Sequence, residues 1–208
     1  MRELLSQLEN GVHMYKIDFG QEYRALNLSI DQCGDVGYIN KKSNCWIFAL
    51  IDGLGHGPLA REAALIAKQY IITHETEQLD NMILGIHEKT KNSRGSVIAI
   101  CRINLVEGKI SYTGIGNISV KRVTNKTTTY VPKDGVIGYI ISRPVVHEDT
   151  IYNGDVIIMN SDGIKGYFEK EVCEKWKRKT AQNIAQEIIN EYNTNQDDAS
   201  CIVIKVEV

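Results

Sequence analysis

Proline is scarce in this chain: Pro58, Pro132 and Pro144 are its three prolines, and none of them marks a domain boundary. Low-complexity tracts, long linkers and internal repeats are absent, so the 208 residues are expected to form a single domain, 1–208, with no separate sensor domain. Long apolar runs are missing too. The longest, residues 45–51, falls far short of the roughly 18 residues a spanning helix needs, which excludes a transmembrane helix. The opening MRELLSQLENG mixes charge with leucine and has no signal-peptide core. Cysteines number five, an odd count, with no CxxC pair. A disulfide framework or zinc knuckle is thereby disfavoured and a reducing cytoplasm fits. No cysteine is followed six positions on by arginine, so cysteine-phosphatase chemistry has no support. A formal charge of −2 sets up no global field toward nucleic acid or an anionic membrane. The densest basic run, 175–179, is broken by Trp176 and reads as a solvated helix face.

What the chain does have is enough apolar residue, 43%, for a sizeable core. Strand-like alternation appears at 12–19 and 24–30, and the continuous run 45–51 suits a strand buried on both faces. A glycine-rich turn follows, then a helix in which Leu59, Ala60, Ala63, Ala64, Ala67, Tyr70 and Ile71 share one side. A second, weaker helix is placed at 77–88. The middle is β-branched: 96–104, 109–113, 118–123, 127–131, 145–151 and 156–160 read as strands between turn signals at 107–108, 114–117, 124–126 and 153–155. Thr180 caps a final helix with Ile184, Ala185, Ile188, Ile189 and Tyr192 on one stripe, and 201–208 alternates as the last strand. Segregated strands and helices predict an α+β layered fold, with two antiparallel sheets face to face and helices outside.

Aspartates stand at strand ends or tight turns in four segments: Gly34-Asp35, Asp52-Gly53 within DGLGHG, Ser161-Asp162-Gly163 and Asp197-Asp198. Hard divalent cations take oxygen ligands, and aspartate, being short, holds its carboxylate close to the backbone that fixes it. Adjacent glycines allow sharp bends and let a backbone carbonyl approach an ion. Gathered carboxylates repel one another and their pKa values rise; two divalent ions remove that penalty. A metal pair about 3.5–4 Å apart can also bridge a water, lower its pKa and clamp the oxygens of an in-line phosphoryl displacement. Each segment alone also fits an ordinary turn. DGLGHG is less ordinary, because an apolar strand ends in Asp52 and an alanine-rich helix starts at once. A phosphate-cradling loop is its rival, yet GLGHGP lacks the Lys-Ser/Thr ending of a P-loop, and Pro58 stands where GxGxxG needs its third glycine.

Taken in order, CGD (33–35), IDGLGHGPLAREAA (51–64), RGSVIAI (94–100), GIGN (114–117), GYIISRP (138–144), NSDGI (160–164) and DDAS (197–200) resemble the motif set of the metal-dependent PPM protein phosphatases, and within it the bacterial SpoIIE-like branch. The resemblance implies a four-layer αββα sandwich of two antiparallel sheets flanked by helices, with the metal centre at one edge. It implies hydrolysis of phosphoserine or phosphothreonine in a protein, with two Mn2+ or Mg2+ ions per site. Asp35 and Asp52 match the first metal-ligating aspartates, Asp52 bridging both ions and Gly53 lending its carbonyl. Asp162 and Asp197 match the remaining ligands, Asp198 being the one-residue alternative to Asp197. The same four aspartates, Asp35, Asp52, Asp162 and Asp197, are the catalytic set. The small stand-alone phosphatases of the branch imply as substrates phosphorylated STAS-domain proteins of a stressosome, both scaffold and co-antagonist. They also imply a cytoplasmic monomer controlled by expression, metal supply or substrate.

The eukaryotic members hold the phosphate with an arginine near the start; Arg24 is the nearest candidate, its spacing from Asp35 differs, and it is left unassigned. DDAS replaces the more usual larger apolar residue and threonine. His56, inside the glycine turn, is read as an exposed turn histidine, the alternative being a proton donor to the leaving serine oxygen. Ser161 is read as a turn cap, since no Ser-His-Asp ordering is visible. Two other functions compete: a catalytically silent phosphoprotein-binding module of the same fold, against which the retained aspartates speak, and a nucleotide-hydrolysing enzyme, against which the missing P-loop speaks.

Overall fold

A computed structural model describes residues 15–26, 29–124, 127–165 and 175–208. The start of the strand expected at 12–19, residues 27–28 of the alternation at 24–30, the turn residues 125–126 and Cys173 lie outside them. The chain runs β1 (Lys16–Arg24), a short 3-10 turn (Ile30–Gln32), β2 (Asp35–Lys42), β3 (Cys45–Gly53), α1 (Pro58–Thr73) and α2 (Leu79–Lys89). Strands β4 (Ser96–Asn104), β5 (Lys109–Ile115), β6 (Ser119–Val123), β7 (Thr127–Tyr130), β8 (Gly135–Val136), β9 (Ile140–Ile141), β10 (His147–Thr150) and β11 (Val156–Asn160) follow. Helix α3 (Ala181–Tyr192) and β12 (Ala199–Glu207) close the order.

Period-two alternation explains the layers. On β3, Phe48 and Leu50 face the second sheet, while Ile47, Ala49 and Ile51 face the helices. On β12, Ile202, Ile204 and Val206 face inward, while Cys201 and Val203 meet α3. Strands buried on both faces therefore read as unbroken apolar runs. One five-stranded sheet has the order β10-β5-β4-β3-β2 and the other β1-β12-β11-β6-β7, and every pairing within them is antiparallel. Helices α1 and α2 cover the first sheet through Ala64, Ala67, Ile71, Ile83 and Ile86. Helix α3 covers the second through Ile184, Ala185 and Ile188. Each fully buried isoleucine in these layers contributes about 1.5–3 kcal/mol. The αββα sandwich expected from the sequence is the fold observed.

Thr180 caps α3 as anticipated, its hydroxyl accepting from the Asn183 N–H at 3.3 Å. Trp176, which interrupts the basic run, is completely buried against α3. The alternation at 24–30 does not make a second strand among the described residues: β1 ends at Arg24, and Ile30 opens the 3-10 turn. Asp198 is the reason. Its carboxylate accepts the Leu26 N–H at 2.7 Å and the Gly34 N–H at 2.6 Å, so these donors serve a side chain and not a ladder. Among the described residues no helix is long and apolar enough to cross a membrane.

Candidate active site

Strand pairing sets Asp35 directly opposite Asp52 at the end of the β2–β3 ladder. Gly53 is obligatory here for closeness. A Cβ on it would stand 1.9 Å from the Ala60 carbonyl oxygen, because the first turn of α1 packs against the strand end. The residues of DGLGHGPLA thus turn the chain from β3 into α1 directly beneath Asp52.

Asp35 is almost fully buried, and its Oδ2 accepts from the Ser161 hydroxyl at 2.7 Å and the Ser200 hydroxyl at 2.6 Å. Both serines lie in the second sheet's layer, where the Ser161 N–H donates to the Ser200 carbonyl at 3.1 Å. The bonds therefore pin the two sheets together at this edge. The other oxygen, Asp35 Oδ1, is buried with no hydrogen-bond donor among the described residues. Ser161 is thus a buried carboxylate partner, a more specific role than the turn cap expected for it. Ser200 was not singled out from the sequence, although both serines stand inside the SDG and DDAS motifs.

Asp162 follows β11 in an exposed turn and its Oδ2 accepts from Asn117 Nδ2 at 2.8 Å, which explains the asparagine ending GIGN. A Cβ on Gly163 would stand 2.0 Å from the Asp198 carbonyl oxygen, so SDG and DDAS touch through their backbones. Asp197 and Asp198 divide the work. Asp198 is buried with both carboxylate oxygens engaged by N–H groups, whereas Asp197 is exposed and, among the described residues, accepts from the neighbouring Asp198 N–H alone, at 2.8 Å.

Electrostatics draws four of these residues into one mouth. Burial raises the Asp52 carboxyl far above the usual carboxylate range, and the negative charges of Asp35, Asp162 and Asp197 raise it further. Burial also raises Asp35, against the two serine hydroxyls that stabilise its ionised form. Among the described residues none of these carboxylates forms a salt bridge. Among the described residues, no three acidic, histidine or cysteine side chains close on a common point as they stand. The structure brings Asp35 and Asp52 together by register, while Asp162 leans to Asn117 and Asp197 to its own backbone. Burial lifts the Cys33 thiol to about 12, which keeps it un-ionised beside the mouth.

The rim has three parts. Arg24, Ala25, Leu26, Asn193, Asn195 and Asp197 line a cavity of about 100 Å3, which sets Arg24 beside the acidic mouth despite its unexpected spacing. His56 is exposed in the glycine turn, and its backbone carbonyl accepts from Arg94 at 3.3 Å. The third part, 133–142, carries the β8–β9 hairpin, whose two-residue strands were not anticipated.

Two antiparallel sheets between helices, with this carboxylate mouth at one edge, define a serine/threonine protein phosphatase of the PP2C type. The chain belongs to the SpoIIE family, that of stage II sporulation protein E, whose model matches residues 42–207. It is similar to the phosphoserine phosphatase RsbX of Bacillus subtilis (strain 168), with 27% identity over 135 residues, 64% of this chain and 67% of RsbX. A solved chain from work on the bacterial stressosome, as a modular system adapted to control secondary messenger signalling, superposes with a TM-score of 0.85. That chain is 28% identical, and the match covers 91% of this chain and 100% of the other. RsbX in complex with magnesium shares the fold at a TM-score of 0.81 and 22% identity, over 92% of this chain and 96% of that one.

Proposed function

We propose that this phosphatase removes phosphate from phosphoserine or phosphothreonine on signalling proteins, and that phosphorylated STAS-domain proteins of a stressosome, scaffold and co-antagonist, are its substrates. Similarity to RsbX and to a stressosome chain supports that substrate class. The observation that carries the chemistry is the acid gathered at the mouth: Asp52 under the charges of three other aspartates, beside an Asp35 oxygen buried with no hydrogen-bond donor among the described residues. Oxygen donors of that kind fit Mn2+ or Mg2+, and the magnesium in RsbX is consistent with the choice.

In this reading Asp35, Asp52, Asp162 and Asp197 hold two ions, and the Gly53 carbonyl completes the donor set. Two bound ions supply the positive charge that lowers the pKa of a water and stabilises the oxygens of phosphoryl transfer. The chain does the rest. Asp52, fixed at the end of β3, would supply its carboxylate to the ions. Ser161 and Ser200 orient Asp35 so that Oδ1 stays free, and Asn117 holds Asp162 by one oxygen. Asp197 is preferred to Asp198 because both oxygens of Asp198 are already engaged. Arg24, beside Asp197, offers its guanidinium to a phosphate oxygen of the substrate.

The test is hydrolysis of p-nitrophenyl phosphate and of a serine-phosphorylated STAS-domain protein with Mn2+, with EDTA and with Asp162→Asn. Manganese-dependent turnover, lost with EDTA and with the substitution, is the expected result. A folded, manganese-supplied protein inert on both substrates would overturn the reading in favour of a silent binding module.

A further inference from the structure

The mouth is continuous with an apolar face that the chemistry above does not use. The Leu54 N–H donates to the Gly95 carbonyl at 3.0 Å, so the DGLGHG turn and the Arg94-Gly95 turn are joined. The ring of Tyr139 lies over Gly95, where a Cβ would stand 2.8 Å from it. The hairpin bearing Tyr139 is held firmly at both ends. Ile137 and Ser96 exchange backbone hydrogen bonds at 2.8 and 3.1 Å, and Lys133 exchanges a pair at 2.9 Å with Gly114 and Gly116, next to the Asn117 that holds Asp162. The segment therefore runs along the rim from the Asp162 side to the Asp52 side.

What this rigid segment presents is apolar. Tyr139 is 61% exposed, and across a groove of about 390 Å3 stands Leu59, 60% exposed at the start of α1, with Glu62, Lys91, Asn92 and Ser93 between; Ile140, next to Tyr139 and 81% exposed, extends the apolar surface beyond the groove. The interior residue Ile137 is completely buried, so the hairpin has an anchor of its own and does not need Ile140 for stability. Arg94 lines the same groove and has no carboxylate partner among the described residues. Exposed apolar surface rimmed by polar groups marks an interaction site.

We propose that this face, Leu59, Arg94, Tyr139 and Ile140, is the docking surface for the substrate protein and selects phosphoresidues flanked by an apolar side chain with an acidic neighbour. The inference rests on the phosphatase reading above. Two observations favour a phosphoprotein as the occupant: the groove adjoins the acidic mouth, and its lining sets two cations, Arg94 and Lys91, against the one carboxylate of Glu62, with Arg94 left outside any ion pair among the described residues. The apolar side chain fills the groove against Leu59 and Tyr139, and Arg94 meets the acidic neighbour.

The experiment is a positional scan of synthetic phosphoserine peptides. Leucine, or glutamate, replaces glycine at each position around the phosphoserine, and p-nitrophenyl phosphate serves as the control. Leucine at particular positions is expected to raise kcat/KM of the wild type by about tenfold or more, the worth of one buried side chain. Ile140→Asp and Leu59→Ser should erase that gain while turnover of p-nitrophenyl phosphate stays at the wild-type value. Arg94→Gln should erase any preference for glutamate. A wild type indifferent to flanking leucine, variants that keep the preference, or an equal fall on p-nitrophenyl phosphate would each overturn the docking surface. Absence of manganese-dependent turnover of p-nitrophenyl phosphate by the wild type would instead sink the phosphatase reading, and this inference with it.

Discussion

The two ends of β11 bury acid in opposite ways. At one end Asp155 is fully buried, accepts the Tyr152 N–H at 2.8 Å, and has the Arg122 guanidinium 3.8 Å away. The same arginine pairs with Asp149 at 2.7 Å and bonds the Thr150 carbonyl, so it ties β6 to β10 across the sandwich. At the other end, past Asn160, the charges of Asp35, Asp162 and Asp197 bear on the buried Asp52 carboxyl, and none of the four forms a salt bridge among the described residues. The first end holds its acid with a cation and a backbone donor, although Asp155 Oδ1 has no partner among the described residues and burial still raises its carboxyl. The second gathers several carboxylates around one raised acid, and strongly perturbed acids of this kind cluster at functional sites.

The largest effect that sharpens this contrast is Asp52→Asn. Activity with manganese should fall to background, while the metal-free protein should melt a few degrees higher than the wild type at neutral pH, because a carboxyl that folding forces to take up a proton has gone. Scanning calorimetry in EDTA and in Mn2+ reads both. The sign with pH follows. A carboxyl whose folded pKa is raised binds more protons in the folded state, so stability falls as pH rises above the ordinary carboxylate value of about 4. In EDTA the wild-type melting temperature should therefore decline from acid pH toward neutrality. Asp52→Asn should flatten that decline, and saturating Mn2+ should reduce it to the part carried by the buried Asp155 carboxyl. A wild type whose metal-free stability is indifferent to pH would show that the acidic end is not strained.

Arg122→Ala breaks the other end. It strands Asp155 without its cation, and truncating one partner of a buried pair costs about 3–5 kcal/mol. Asp149 is the more exposed partner, so the lower figure applies. Urea unfolding should show the loss, with activity per folded molecule unchanged. Equal damage to turnover would mean that the two ends are coupled.

Much of this was readable from residues in order. Strands β3, β4 and β11 and helix α1 announced themselves because long apolar periodicity and a glycine turn are local signals. The four aspartates were visible because each sits in a short motif. What stayed hidden depends on partners far along the chain. Asp198 ends the alternation after β1 by capturing N–H groups more than 160 residues away. Ser161 and Ser200 converge on Asp35 from the other sheet, and Arg122 finds Asp149 and Asp155 only once the strands pair. The β8–β9 hairpin escaped because two-residue strands carry no periodicity.

Asn117→Ala tests how far the acidic end relies on orientation. Its amide is the recorded partner of the exposed Asp162 carboxylate. Losing a group that orients a metal ligand typically costs about 10–100-fold in metal affinity or activity. Isothermal titration with Mn2+ should show a drop in that range with little change in melting temperature in EDTA. An unchanged affinity would remove Asp162 from the ligand set or Asn117 from its support.

The smallest expected effect lies in the two serines, and it discriminates between strain and support at the same residue. Both hydroxyls bond a single oxygen of Asp35, and the Ser161 oxygen also accepts the Ser200 N–H at 3.0 Å. Ser200→Ala leaves Ser161 in place, so it should weaken Mn2+ binding only by the worth of one hydrogen bond, about 1 kcal/mol or roughly fivefold. Ser200→Thr keeps the hydroxyl and should recover most of that loss. Ser161→Ala removes a hydroxyl and also leaves the Ser200 N–H without its acceptor, so it should cost more in stability than Ser200→Ala. The double variant should exceed the sum of the single losses in metal affinity, because Asp35 Oδ2 then joins Oδ1 as a buried oxygen with no donor and the folded protein favours its protonated form. Strict additivity would mean that the hydroxyls only fill space, and that the orientation of Asp35 comes from the β2–β3 register alone.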